Sequence, residues 1–346
     1  MYIKDLKAIS AQNTLDDTFF TQEAINITGL TYNAIQPNYR DLIPLKVLRR
    51  MGNTIKMALG AGLPIIEKHQ IDAIIIGTAH GGVQDSIKFL NQIVQYEEGT
   101  LTPTNFVQST PNAIAGAIAQ TSKCYGYNNT HTNSGLSFEG AILDAKLLLD
   151  NNESKHVLLG AIEEISTFNS NIEFLEGKFK QNETIESNTL LDSNTNGTVL
   201  GEGASMFYVN NEKTDALAKI NDLRTICNPT NEELQETLNS FLQKNNLNLE
   251  EIDCLISGRN GDVRHQNYYN LIEANFNESN IYSFKNLVGE YPTVTAFAVW
   301  MATQILQQKN LPKQAVLQSK NRTNNNVLIY NHYQNIQHSF ILLSAV

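Results

Sequence analysis

The sequence predicts an α/β fold of two like halves, each a mainly parallel or mixed sheet with flanking helices, sharing one helical layer. Three observations carry that expectation. The pattern Ile-Asp-x-[Ile/Leu]-Ile-x-Gly occurs twice, as Ile71–Gly77 and Ile252–Gly258, and each copy has a helix before it and another after it. A strand, a glycine turn and a helix follow in both halves, around Gly135 and around Gly289. Two closing strands end each half, 156–163 with 204–209 and 326–330 with 338–344. Such a repeat divides the chain into an N-terminal half, 1–210, and a C-terminal half, 211–346.

Taken in order, Ile3–Ile9 reads as a strand. A helix from Leu45 follows, with Leu48, Met51, Ile55 and Leu59 on one side, and Gly62 and Pro64 are expected to end it. Ile71–Gly77 is a buried strand leading into the turn Thr78-Ala79-His80-Gly81-Gly82 and a helix through Ile93. GTAHGG is not GxGxxG and no ribose-binding acid follows it, so no dinucleotide cofactor is expected. Asn112–Gln120 is a helix of small residues suited to close packing, and the polar stretch Phe168–Asn196 reads as a surface excursion. In the second half, Thr230 with Glu233 forms a capping box ahead of an apolar stripe at Leu234, Leu238, Phe241 and Leu242. Ile281–Phe284 then reads as strand, and Thr293–Leu306 as helix.

Composition narrows the function classes. The chain has 346 residues, 41% hydrophobic and 17% charged, which suits a globular protein with one large core or two fused ones. No apolar run reaches the length of a membrane span, and MYIKDLKAIS lacks the charged start and apolar stretch of a secretory signal, so a cytoplasmic protein is expected. A net charge of −10 argues against nucleic acid as a partner. Lys46, Arg49, Arg50 and Lys56 lie on or near one helix face, either as a docking patch for an acidic partner or as a solvated, internally paired face. Cys124, Cys227 and Cys254 have no ligand spacing and read as reduced, small apolar fillers. His156, His265, His332 and His338 are scattered, so no metal site is expected.

The stretch Tyr127–Asp150 carries the functional clue. A strand, the turn Ser134-Gly135 and a helix bearing Leu136, Ala141, Ile142, Ala145, Leu148 and Leu149 aim the corner at free N–H groups of the helix start, a place where enzymes hold nucleophiles. Here the corner holds a glycine between Ser134 and Ser137.

Several segments resemble the β-ketoacyl synthases of the thiolase fold. Gly197–Ser205, GTVLGEGAS, is similar to their Gly-x-Val-x-Gly-Glu-Gly-Ala, and Gly160-Ala161-Ile162-Glu163 to their Gly-Gly-Ala-Glu. Lys285-Asn286-Leu287-Val288-Gly289-Glu290 resembles Lys-Ser-Asn-Ile-Gly-His, and Ser257-Gly258 stands where the family carries His-Gly-Thr-Gly-Thr. The resemblance spans roughly residues 70 to 345 and implies a five-layer αβαβα fold with two pseudo-twofold-related halves. In that family a corner Cys takes an acyl chain from a carrier-protein thioester, and two His residues stabilise the charge of decarboxylative condensation, with no cofactor. Counting from the flanking motifs puts Gly135 at the nucleophile, Ser257 at the first His and Glu290 at the second. Of that constellation only Lys285 keeps its residue type. An ionised Glu290 would oppose the developing negative charge by several kcal/mol in a closed site.

Three readings follow. The resemblance extends to chain-length factors, the nucleophile-free subunits that pair with an active ketosynthase in polyketide and polyene systems, here of an aryl polyene or flexirubin-like type. As such a subunit, the chain would form a heterodimer with a synthase or a homodimer, meeting carrier protein through the partner. Asn112–Gln120, including Ile114, and Asn128–Thr132, on to Ser134, would then be interface, with Phe106 or its neighbours lining a tunnel. A second reading is an acyl-transferring or condensing enzyme whose substitute site draws on His131, Ser134, Ser137, His80, Glu290 and Lys285; the bland alternative makes the Ser residues caps and the His residues packed or surface groups. A third is a pure scaffold with a filled interior beside Gly135.

Overall fold

The computed structural model describes every residue except Thr100, Asn182 and Glu183. Two five-stranded sheets with identical strand order form its frame. The first half supplies β1 (Tyr2–Ile9), β2 (Ala73–Gly77), β3 (Tyr127–His131), β4 (Val157–Glu163) and β5 (Gly203–Asn210). The second supplies β6 (Ala218–Cys227), β7 (Cys254–Ser257), β8 (Asn280–Ser283), a short β9 (Val316–Gln318), β10 (Asn326–Tyr333) and β11 (Gln337–Ser344). The first sheet runs β1-β5-β4-β2-β3 and the second β6-β11-β10-β7-β8. In both, the first two pairings are antiparallel and the last two parallel. The repeat at Ile71 and Ile252 is therefore the sequence trace of a pseudo-twofold axis. The sheets touch where Tyr2 and Ile3 of β1 pair with Lys219 and Ala218 of β6.

One asymmetry breaks the match. The outer edge of β8 is covered by β9, antiparallel through Ile281–Gln318 and Tyr282–Val316. β3 has β2 on one side and, among the described residues, no strand on the other.

The helices make three layers. On the outer face of the first sheet lie α1 (Asn53–Ile66), α2 (Val83–Gln95), α3 (Pro103–Gln108) and α4 (Ala113–Ser122), α1 and α4 sharing a core with Ile74, Ile76, Leu158 and Met206. Between the sheets lie α5 (Ser137–Asp150) and, after α6 (Thr167–Leu175), α7 (Asn231–Lys244) and α8 (Gln266–Glu273), the helix α9 (Thr295–Leu306). α9 is apolar on all sides, as a helix sandwiched between two sheets must be, and only Gln304 of it escapes full burial. α7 and α8 cover the outer face of the second sheet through Leu234, Leu238, Phe241, Tyr269 and Ile272. The Thr230–Glu233 capping box starts α7 as expected. The stack α/β/α/β/α is the thiolase-type architecture.

Four expectations need correction. The helix from Leu45 is two pieces: a turn at Leu45–Leu48, then α1, because Gly52 takes an extended conformation and caps a new start. Gly62 and Pro64 lie inside α1 and do not end it. Phe168–Asn196, of which Asn182 and Glu183 lie outside the described residues, is no mere surface excursion: it begins with α6, and Lys180 is buried, bonded to Ser193, Thr195 and the Gly261 carbonyl. Of the cysteines Cys254 is a core filler and Cys124, partly exposed, packs against a core cluster, but Cys227 is exposed and fills nothing.

Candidate functional site

The corner between β3 and α5 follows its sequence signature, with one change of roles. The residue in the left-handed region is Ser134, at φ +48°, whereas Gly135 has an ordinary backbone. Glycine at 135 answers a packing demand. A Cβ there would sit 2.3 Å from Tyr333 Cβ, 2.8 Å from its Cγ and 3.1 Å from Gln337 Oε1. The Gly135 N–H donates to Gln337 Oε1 at 2.7 Å, and Gln337 Nε2 donates to the Asn133 carbonyl at 3.3 Å. The turn between β10 and β11 thus fills the volume that a side chain at 135 would enter.

The polar residues around the corner act as caps and surface pairs. Ser137 Oγ accepts from the Asn133 N–H and donates to the Ser134 carbonyl, both at 2.8 Å. His131 Nε2 meets Asp144 Oδ2 at 2.8 Å, while His80 Nδ1 meets Glu163 Oε2 at 3.3 Å. No Ser–His hydrogen bond forms at this corner among the described residues, which removes the geometry that a substitute Ser-His pair requires.

The other two positions are equally committed. Ser257, at the end of β7, is fully buried, and its Oγ donates to Glu273 Oε1 at 2.6 Å. Arg259 holds the same carboxylate through Nε at 2.8 and 3.0 Å and through a terminal nitrogen at 2.7 Å. Glu290 lies 2.9 Å from Lys285 Nζ through Oε2, which also accepts from Asn260 Nδ2 at 2.8 Å. Lys285 donates further to the His332 carbonyl at 3.2 Å. Burial pushes the Glu290 carboxyl up and the Lys285 ammonium down, and their mutual contact opposes both shifts. The charge feared at 290 is therefore tied to a cation. Gly289, at φ +78°, brings its Cα against Gly201, so that the Glu290 carbonyl accepts from the Gly201 N–H at 2.9 Å.

Residues to which sequence reasoning gave no role complete the region. Glu139, on the first turn of α5, is buried and accepts from Ser339 Oγ at 2.8 Å, and burial pushes its carboxyl up to about 7. His265, His332 and His338, scattered in sequence, come together with ring centroids 5.5 and 5.1 Å apart. Burial lowers all three, His265 and His338 to about 4. Among the described residues no group of His, Cys, Asp or Glu could hold a metal ion.

A cavity of about 380 Å³ opens beside this network, walled by Glu163, Glu164, Glu290, Tyr291 and Tyr333 and by residues of α6. Neither Ser134, Gly135 nor Ser257 lines it, because Tyr333 stands between the corner and the cavity. The expected tunnel and interface residues are dispersed. Phe106 is exposed and meets Phe89 in a tilted ring contact at 5.3 Å; Ile114 is a core residue; Thr132 and Ser134 are exposed. Asn112 and Val107 line a separate open groove of about 800 Å³ with Val47, Met51 and Ala113.

Comparison with known proteins agrees with this fold. Residues 23–167 match the family model described as beta-ketoacyl synthase, N-terminal domain. No curated protein matches the chain by sequence. A solved beta-ketoacyl synthase from Burkholderia phymatum STM815 superposes with a TM-score of 0.80 at 15% identity, covering 100% of this chain and 99% of that one. The ketosynthase ApeO in complex with its chain length factor ApeC, from Xenorhabdus doucetiae, gives 0.79 at 14% identity, with 100% and 98% covered. The ishigamide ketosynthase/chain length factor gives 0.76 at 12% identity, again with 100% and 98% covered. With residues 23–167 matching that family model and the fold kept from end to end, the chain has the thiolase-type fold of the β-ketoacyl synthases and resembles them in motif order.

Proposed function

We propose that this chain is a non-catalytic subunit of the chain-length-factor type, which pairs with an active ketosynthase during elongation of a carrier-bound polyketide or polyene chain. The observation that carries the reading is the corner: Tyr333 and Gln337 occupy the space into which a nucleophile at 135 would project. The degenerate positions Ser257 and Glu290, held by Glu273–Arg259 and Lys285, add to it. Lys285 then serves as a structural counter-ion.

Pairing uses β3. Its outer edge offers unpaired backbone groups, the situation that strand addition resolves, and α4 with Asn112 and Asn128 lies alongside. Arg49, Arg50 and Lys56 line a groove at the start of α1 whose one carboxylate, Asp85, is paired with Lys88, which suits an acidic carrier protein approaching the assembled pair. We assign the halves 1–210 and 211–346 to the two repeats, the pathway to the aryl polyene or flexirubin-like class, and the setting to the cytoplasm.

A second reading, acyl transfer through Ser134, has one observation in its favour: this residue holds the strained dihedral at a helix start with its side chain exposed. Among the described residues no base is hydrogen-bonded to its hydroxyl, so the subunit reading is preferred.

The test is co-purification with the ketosynthase of the same system, followed by incubation with an acyl-carrier thioester and intact-mass analysis. A one-to-one complex with acylation of the partner alone is expected. Thr130→Pro should abolish the complex while leaving the free chain folded, since the Thr130 N–H turns to Asn129 Oδ1 at 2.9 Å instead of to β2. A chain that stays monomeric beside its synthase, or that takes the acyl group itself, ends the proposal.

A further inference from the structure

The cavity beside Tyr333 has a balance of charge that an acyl chain would not need. Its walls carry five carboxylates, from Glu163, Glu164, Glu173, Glu176 and Glu290. The cations among them are largely engaged. His80 pairs with Glu163, and although burial works against its charged form, that carboxylate holds its pKa above the usual value. Lys178 is shared between Glu173 at 3.4 Å and Glu176 at 2.9 Å. Arg264 is turned onto Asp262 at 2.5 Å, and burial keeps His265 neutral.

Two acceptors remain. Glu164, 8% exposed, is hydrogen-bonded by Thr54 and by a long 3.4 Å bond from the Gln84 N–H, and among the described residues has no cation within ion-pair distance. Glu290, 7% exposed, leaves Oε1 without any hydrogen-bond partner although Oε2 is fully used. A buried carboxylate oxygen without a donor is costly, so a donor that completes it is favoured. The carboxylates are not grouped closely enough for a metal ion, as no metal-holding cluster exists among the described residues. The cavity, at about 380 Å³, has room for a molecule that spans them.

We infer that this cavity binds a small organic cation, a primary amine or guanidine whose N–H groups complete Glu290 Oε1 and Glu164. The inference goes beyond the subunit reading and stands whether or not a synthase partner is present. Carboxylate-lined, partly enclosed walls strengthen attraction for such a cation and repel free dicarboxylates.

The test uses the purified full chain and titration calorimetry at pH 8, above the Glu164 carboxyl, which burial pushes up to about 7. The probes are putrescine and agmatine, with 1,4-butanediol and glutarate as neutral and anionic counterparts of similar length. Saturable one-site binding of at least one amine is expected, with no binding of butanediol or glutarate. Glu164→Gln should weaken the amine at least tenfold, and Glu290→Gln likewise; because the latter disturbs a buried ion pair, Glu164→Gln is the deciding variant. Absence of saturable amine binding, equal binding of butanediol, or unchanged affinity in Glu164→Gln would overturn the inference.

Discussion

Replacing Gly135 with alanine tests the packing argument at its narrowest point. The added Cβ would lie 2.3 Å from Tyr333 Cβ, where carbon atoms settle at about 3.5–4.0 Å, so the β10–β11 turn must retreat by roughly 1.2 Å or more. The obstructing atom is a Cβ fixed to the backbone, so no rotamer change relieves it. Overpacking of this kind costs about 1–3 kcal/mol. With about 2.1 cal/mol/K of unfolding entropy per residue, the chain's 346 residues convert this into a fall of about 1–4 °C in the melting midpoint. Urea and thermal denaturation of the parent, Gly135→Ala and Gly135→Cys measure it, with cysteine expected at least as costly. Tyr333→Gly removes the opposing atom, so the penalty of Gly135→Ala should largely vanish in that background, a coupling of about 1–3 kcal/mol. If Gly135→Ala stays within about 0.5 kcal/mol of the parent, the corner has room for a side chain and the reasoning fails.

Two further predictions concern buried charge. The Glu139 carboxyl, raised by burial from 4.5 to about 7, stabilises the fold in its protonated form; that contribution is complete below about pH 4.5 and is lost as pH rises through 7, by about 3 kcal/mol in all. Glu139→Gln should flatten the decline of stability between pH 5 and 8, leaving the part due to Glu164, and an unchanged profile would show Glu139 to be hydrated. Lys285→Met strands the Glu290 carboxylate and should cost about 3–5 kcal/mol at pH 7 and less as pH falls and Glu290, raised by burial, takes up a proton; losses that do not change with pH in chemical denaturation would refute the pairing.

The architecture was readable because buried parallel strands need continuous apolar runs, and the two copies at Ile71 and Ile252 share one pattern. β6 was missed, since Asn221, Asp222 and Arg224 interrupt its alternation and its stability comes from pairing with β11. The three degenerate positions were found by counting between motifs, which works while the intervening elements keep their lengths. What fills them was not legible. Tyr333 and Gln337 lie about two hundred residues from Gly135, and no local pattern announces a contact made only when two halves close on each other. Glu139 and Glu164 look like ordinary helix-start and strand-end acids in sequence; only the surrounding desolvation changes their chemistry.

The strand Val316–Gln318 is only three residues long, and it sets the length of the edge at its end of the sheet. A molecule with both flanks of its sheets bare could add neighbours without limit, in the manner of a growing fibre. Here β9 replaces the edge of β8 with one only three residues long, the kind of short edge that discourages strand addition, and leaves β3 as the longer edge of the pair.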